Sequence, residues 1–316
     1  MSERIAIVGS GLVGRSWSIV FARAGLEVAV HDPAEGGVEA ALDWIDETLP
    51  KLREHGLLGG LEPAAVRARL KPAASLEEAL EGASYVQESA PERIVVKAEL
   101  YRELDRLAPP EVVLASSTSG IPASAFTEPL AGRGRCLVAH PINPPHLVPL
   151  VEIVPAPWTE PAVVERTREL MRNVGQSPIE LAREVAGFVV NRLQGALLAE
   201  AFRLVEDGVC RTGDVDAAIA DGLGLRWSFM GPFETIDLNS PGGVRGYCEM
   251  LGDLYYQLAK EQADPRRWDE PTVAEIERQC RARLALARLP ARQAWRDRRL
   301  ALLVAAKRRD AEALGE

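Results

Sequence analysis

The chain has 316 residues, 47% hydrophobic and 26% charged, with a formal net charge of −9. That length exceeds one ordinary core and implies two domains, and the balance is that of a folded chain rather than a disordered one. The acidic surplus argues against nucleic acid or an anionic membrane as the main partner.

Cys136, Cys210, Cys248 and Cys280 are scattered, form no CxxC pair and have no histidines at metal spacing. They read as thiols in a reducing compartment, with no metal expected. "MSERIAIVGSG" runs directly into a strand pattern and leaves no room for a signal peptide. "GFVVNRLQGALLAEAF" is interrupted by Asn191, Arg192 and Gln194, so no membrane span is expected. A cytoplasmic protein is the expectation.

In chain order, "RIAIV" (4–8) and "LEVAVHD" (26–32) predict strands flanking a helix from Leu12 to Ala24. "GVEAALDWIDETLPKLREHGLL" (37–58) predicts a helix pair broken near Pro50. "SLEE" (75–78) has the form of a capping box, Ser75 capping and Glu78 reaching back, ahead of a strand at 83–90. Pro91 is placed to open a helix through about Leu107. "EVVLASS" (111–117), "RCLVAH" (135–140), "LVEIVP" (150–155) and "SPIELA" (177–182) supply further strands. Strands alternating with helices imply a largely parallel, doubly wound sheet. After about residue 187 the pattern is helical, with a stop at Gly208, a second capping box at "TVAE" (272–275) and an Arg-rich helical tail. The expected architecture is α/β: a Rossmann-type domain over 1–186 and an all-α domain over 187–316.

"IAIVGSGLVGRSW" carries Gly9, Gly11 and Gly14 in G-x-G-x-x-G spacing between a strand and a helix. Gly9 permits the tight turn, Gly11 lets backbone approach a pyrophosphate at the helix N-terminus formed by Leu12 and Val13, and Gly14 allows close packing. Glycines alone are a weak signal, because ordinary turns use them too. Here Asp32 ends the second strand, where an acid accepts from the adenosine ribose hydroxyls and repels a 2′-phosphate. NAD is favoured over NADP. A methyltransferase also carries a glycine-rich first loop, but no other motif in this chain supports one.

"RCLVAHPINPPHLVPLVEIV" sets His140 at the end of one apolar run and Glu152 in the next, in a chain with four histidines. An NAD enzyme that oxidises an alcohol needs a base for the hydroxyl proton, and a carboxylate behind an imidazole fixes its tautomer. The bland alternative is a satisfied core histidine and a surface acid. Ser119, in "SSTSG" at the end of another strand, and Asn191, within "GFVVNRL", could supply further polar groups or merely serve turn and cap chemistry.

Together, "IVGSGLVGRSW", "SSTS", "HPINPP", "LVEIVP", "AGFVVNRLQ" and "MGPFE" resemble the 3-hydroxyacyl-CoA dehydrogenase superfamily along the whole chain. The closer similarity is to its lambda-crystallin / L-gulonate 3-dehydrogenase branch, through "AHPINPPHLVPLVEIVP", "EAFRLVEDG", "GLGLRWSFMGPFETIDLN" and "RQAWRD". The resemblance implies His140 as base, Glu152 as its partner, and Ser119 and Asn191 at the substrate oxygen. It also implies Asn143 in the histidine motif, and Glu92 and Lys97 beside the cofactor. Their own spacing reads only as a solvated helix face. A homodimer through the helical domain is implied as well.

"HPINPP" departs from the family's common "HFFNP", and "GLGLRW" is an addition relative to acyl-CoA members. Arg226 in that addition is a candidate clamp for a substrate carboxylate, with an internal pair to Glu234 as the alternative. The expected reaction is NAD-dependent oxidation of the 3-hydroxyl of a small hydroxy acid, L-gulonate first. Alternatives are 3-hydroxyacyl-CoA, L-carnitine with Trp17 or Trp227 walling its trimethylammonium, or a crystallin-like NAD-binding structural protein.

Overall fold

Eight strands form one sheet in the computed structural model, which describes residues 3–315. They are β1 (Arg4–Val8), β2 (Glu27–His31), β3 (Leu70–Pro72), β4 (Tyr85–Glu88), β5 (Val113–Ser116), β6 (Cys136–Pro141), β7 (Leu150–Pro155) and β8 (Ser177–Glu180). The spatial order is β3-β2-β1-β4-β5-β6-β7-β8. Every neighbouring pair is parallel except β6 and β7, which run antiparallel. Residues 142–149 are too few for the dozen or so that a parallel crossover needs, so this connection can only turn back. The edge strand β3 was not expected from the sequence. It buries only Leu70 and ends on a proline, so it shows no apolar alternation.

The sheet has an apolar core on each face, and the period of two is visible in β1. Ile5 and Ile7 join one cluster with Trp17, Phe21, Ile45 and Leu49, while Ala6 and Val8 join the other with Tyr101, Leu104 and Phe126. Helix α1 (Leu12–Arg23) packs on the first face beside α2 (Gly37–Glu54). The expected break at Pro50 does not occur, and α2 is one helix. Proline forfeits a single backbone bond there, whereas Val38, Leu42, Ile45, Leu49 and Leu52 bury a stripe that interruption would expose.

The other expected boundaries shift for local reasons. The helix expected at Pro91 begins at Ile94, because residues 89–93 form a turn in which Ala90 donates to the Glu88 carboxylate at 2.6 Å. Ser75 caps as expected, accepting from the Glu78 N–H at 3.2 Å, but Glu78 reaches back to the Ala74 amide. At "TVAE" the cap is instead Asp269, which accepts from Thr272 at 3.0 Å; Pro271 suits a first turn and so moves the start upstream.

By packing, the chain divides into one unit of residues up to 190 together with 296 onward, and a second of residues 191–295. The tail, expected in the helical domain, joins the first unit because Ala301 and Ala305, one turn apart, are buried in its core. The second unit is helical, and many of its large apolar side chains are exposed, among them Leu193, Phe233, Leu254 and Tyr256. Among the described residues no helix is long and apolar enough to cross a membrane.

Candidate active site

The loop after β1 is shaped at each glycine differently. Gly9 has φ +94°, and a Cβ there would meet the Ser89 carbonyl oxygen at 2.7 Å. A Cβ at Gly14 would lie 1.8 Å from the Gly9 oxygen, so only glycine lets α1 start this close to the loop. At Gly11 nothing stands within 4 Å. The first intrahelical bond runs from Arg15 to Gly11, which leaves the amides of Leu12, Val13 and Gly14 without helical partners above that open space. This is the cradle a pyrophosphate needs. Asp32 completes it: one carboxylate oxygen accepts from the Ser10 amide (2.6 Å) and hydroxyl (2.9 Å), the other from the Ala34 amide (2.9 Å). Burial pushes its pKa up, but these hydrogen bonds outweigh burial and hold it below the usual aspartate value. The residues fit NAD.

His140 and Glu152 are directly opposed across the antiparallel β6–β7 pair. Both are buried, and His140 Nδ1 lies 2.7 Å from Glu152 Oε2. The other carboxylate oxygen accepts from the amides of Val189 (2.7 Å) and Val190 (3.0 Å). Those amides are aimed by an uncommon turn, in which Gly187 (φ +75°) and Phe188 (φ +50°) are both left-handed. A phenylalanine in that region costs about 1 kcal/mol or more, and its ring, fully buried, stacks at a tilt 5.6 Å from the imidazole. Burial alone would raise the Glu152 pKa, yet the His140 and backbone bonds keep it lowered. A carboxylate that stays ionised can only accept, so the His140 nitrogen that faces it, Nδ1, is the donor, and in the neutral ring the lone pair is on Nε2.

The pair implied at Glu92 and Lys97 has a third member that sequence reading missed. Lys97 Nζ, 1% exposed, sits 2.8 Å from a carboxylate oxygen of the fully buried Glu88 and 3.8 Å from Glu92. Glu88 also takes the Ser116 hydroxyl at 2.5 Å. Glu92 clamps the loop after β5, accepting from Thr118 Oγ1 (2.6 Å) and from the amides of Ser119 (2.9 Å) and Gly120 (3.1 Å). Ser119 is therefore held by its backbone, with its residue exposed. An acid closing an otherwise apolar strand, as in "SYVQE", was the available signal for Glu88; for Phe188 there was none beyond the glycine before it.

Asn143 is exposed and precedes a cis proline, Pro144. Asn191 and Arg226 belong to the second unit. Arg226 is exposed on the helix Gly224–Trp227. Trp17 is fully buried in the sheet's core, so it cannot wall a substrate pocket.

A second histidine is buried nearby in the same motif. His146 Nδ1 lies 3.1 Å from Ser16 Oγ, its ring meets Trp44 edge-on, and Arg23 donates to its carbonyl oxygen at 2.7 Å. Burial first, then the charges of Arg23 and Arg15, lower its pKa from 6.5 to about 3. Between those values the unfolded chain binds the extra proton, so stability is whole above about pH 6.5 and falls as the pH drops. In His146→Asn the slope of unfolding free energy against pH between about 4 and 6 should flatten by up to ~1.4 kcal/mol per unit. Urea titrations across that range check it, and an unchanged slope would refute it.

Residues 4–185 match the 3-hydroxyacyl-CoA dehydrogenase NAD binding domain, and residues 187–277 match the 3-hydroxyacyl-CoA dehydrogenase C-terminal domain. The chain belongs to the 3-hydroxyacyl-CoA dehydrogenase family. It is similar to a lambda-crystallin homolog of Bos taurus, 44% identical over 93% of this chain and 92% of that one. An L-carnitine dehydrogenase of a Pseudomonas species is 40% identical over 87% of this chain and 90% of its own. A solved structure of 5-formyl-3-hydroxy-2-methylpyridine 4-carboxylic acid 5-dehydrogenase, an NAD-dependent dismutase, superposes with a TM-score of 0.82 at 29% identity and covers 99% of both chains. This member of the 3-hydroxyacyl-CoA dehydrogenase family is an NAD-dependent oxidoreductase.

Proposed function

We propose that the protein oxidises the 3-hydroxyl of a small hydroxy acid, with L-gulonate to 3-dehydro-L-gulonate as the specific reaction. The observation that carries the oxidation is the 2.7 Å contact between His140 Nδ1 and Glu152, which makes Nε2, on the outer side of the neutral ring, the nitrogen that takes a proton. His140 takes the hydroxyl proton at Nε2, and Glu152 stabilises the imidazolium that results. When bound, NAD supplies the acceptor for the hydride. Ser119, Asn191 and Asn143 hold the substrate oxygens, and the exposed Arg226 clamps the acid group. The many exposed apolar side chains of the second unit support a homodimer built through it.

NADH formation should be compared on L-gulonate, L-carnitine and 3-hydroxybutyryl-CoA. The expected order puts L-gulonate first, and Arg226→Lys should raise its KM about tenfold or more at constant NADH affinity. Comparable rates on the CoA ester would overturn the substrate class. The same preparation should sediment at twice the mass of one chain. L-carnitine is the second reading, favoured by the 40% identity to a dehydrogenase of that substrate. No turnover on any of the three would favour a crystallin-like structural protein.

A further inference from the structure

A buried network of hydrogen bonds crosses the sheet beneath the glycine loop, and its proton order can be worked out by counting. Ser117 Oγ is its hub. It lies 3.2 Å from Trp17 Nε1, 2.7 Å from Gln87 Nε2 and 3.0 Å from Ser89 Oγ. The indole N–H can only donate. The Gln87 amide is oriented by its second contact, because Nε2 also lies 3.2 Å from the Ala139 carbonyl, which can only accept. Its Oε1 correspondingly accepts from the Tyr85 hydroxyl at 3.2 Å. Both lone pairs of Ser117 Oγ are therefore filled by N–H donors. Its own proton has one direction left, towards Ser89 Oγ. Ser89 thus accepts from below, and its hydroxyl proton is turned away from the network. Among the described residues no protein acceptor takes that proton.

Ser89 is the residue after β4, half-buried, and its amide donates to the Val8 carbonyl at 2.7 Å. Its carbonyl borders Gly9, and β1 and β4 flank the point where the strand order reverses. In open α/β sheets a dinucleotide lies in that crevice. We propose that Ser89 is a cofactor-binding residue whose hydroxyl proton is kept available to an oxygen of the dinucleotide, with Trp17, Gln87 and Ser117 as the positioning residues that keep it from turning back into the core. Without the Ser117 donor the Ser89 proton would spend part of its time on Ser117 Oγ rather than towards the crevice. Here the ordering is paid in the folded core before NAD arrives, which is preorganisation in the binding sense.

NADH affinity, followed by cofactor fluorescence on the intact protein, tests this. Loss of one such bond in Ser89→Ala should raise Kd about three- to tenfold, with a fall in Tm smaller than in Ser117→Ala, since one buried donor rather than two loses its acceptor. Ser89→Thr, which keeps the hydroxyl, should bind more tightly than Ser89→Ala. Ser117→Ala should lower Tm, because two buried donors lose their acceptor, and should also weaken NADH binding. An affinity in Ser89→Ala equal to the parent's would overturn the proposal. If that variant does not fold, Ser89→Cys, a weaker donor of similar size, reads the same way: parental affinity overturns it, and a raised Kd supports it.

Discussion

Replacing His140 with glutamine should lower turnover about 10³- to 10⁴-fold while NADH affinity stays within about twofold, the signature of a lost general base. Glutamine occupies similar space and can still donate to Glu152, so the β6–β7 pairing that carries both residues has no reason to move. What it cannot do is take a proton near neutrality. Glu152→Gln makes a finer test. Its carbonyl oxygen can keep the Val189 and Val190 amides, which leaves its NH2 facing His140 Nδ1. That donor forces the imidazole proton onto Nε2 and removes the open lone pair, so turnover should fall on the order of 10²- to 10⁴-fold with the fold intact. Loss of NADH binding together with activity in His140→Gln would make the histidine structural. Retained turnover would place the base elsewhere.

The parts of this arrangement that were legible in the sequence are those with short local spacing or an unusual residue in an apolar run. Gly9, Gly11 and Gly14 announce their loop because two close backbone approaches and one position left open fall within six residues. His140 and Glu152 stand out because charge is rare in strands buried on both faces. That they face one another follows from the short connection between β6 and β7, since an antiparallel hairpin pairs residues equidistant from its turn. Glu88 was as conspicuous as Glu152 by the same criterion but had no partner in view: Lys97 lies nine residues on, across a turn whose course depends on tertiary contacts. Pro50 misled for the converse reason, since a local propensity was outweighed by a buried stripe. The proton order around Ser117 could not be read at all, because its members are drawn from α1, β4 and the end of β5.

The largest effect on stability should come from Glu88→Gln. Lys97 is 1% exposed, and among the described residues its nearest carboxylate is the fully buried Glu88, with the half-exposed Glu92 at 3.8 Å. Neutralising Glu88 leaves an ammonium in the protein with its main counter-charge gone, a loss of about 3–5 kcal/mol in buried pairs. Glu88→Gln/Lys97→Met removes both charges, so it should be more stable than the single variant, and urea unfolding of the parent, both singles and the double gives the coupling. Stability and binding should then part company. The double variant recovers its fold, yet it lacks the ammonium that bonds the Ala90 carbonyl at 3.4 Å and lies 3.8 Å from Glu92. Glu92, which clamps the loop bearing Ser119, loses that positive neighbour, and NADH should bind more weakly than to the parent. If Glu88→Gln costs less than about 1 kcal/mol, the ion pair is not what keeps Lys97 buried. If the double variant binds NADH as the parent does, the pair serves the fold alone and the cofactor edge is set by other groups.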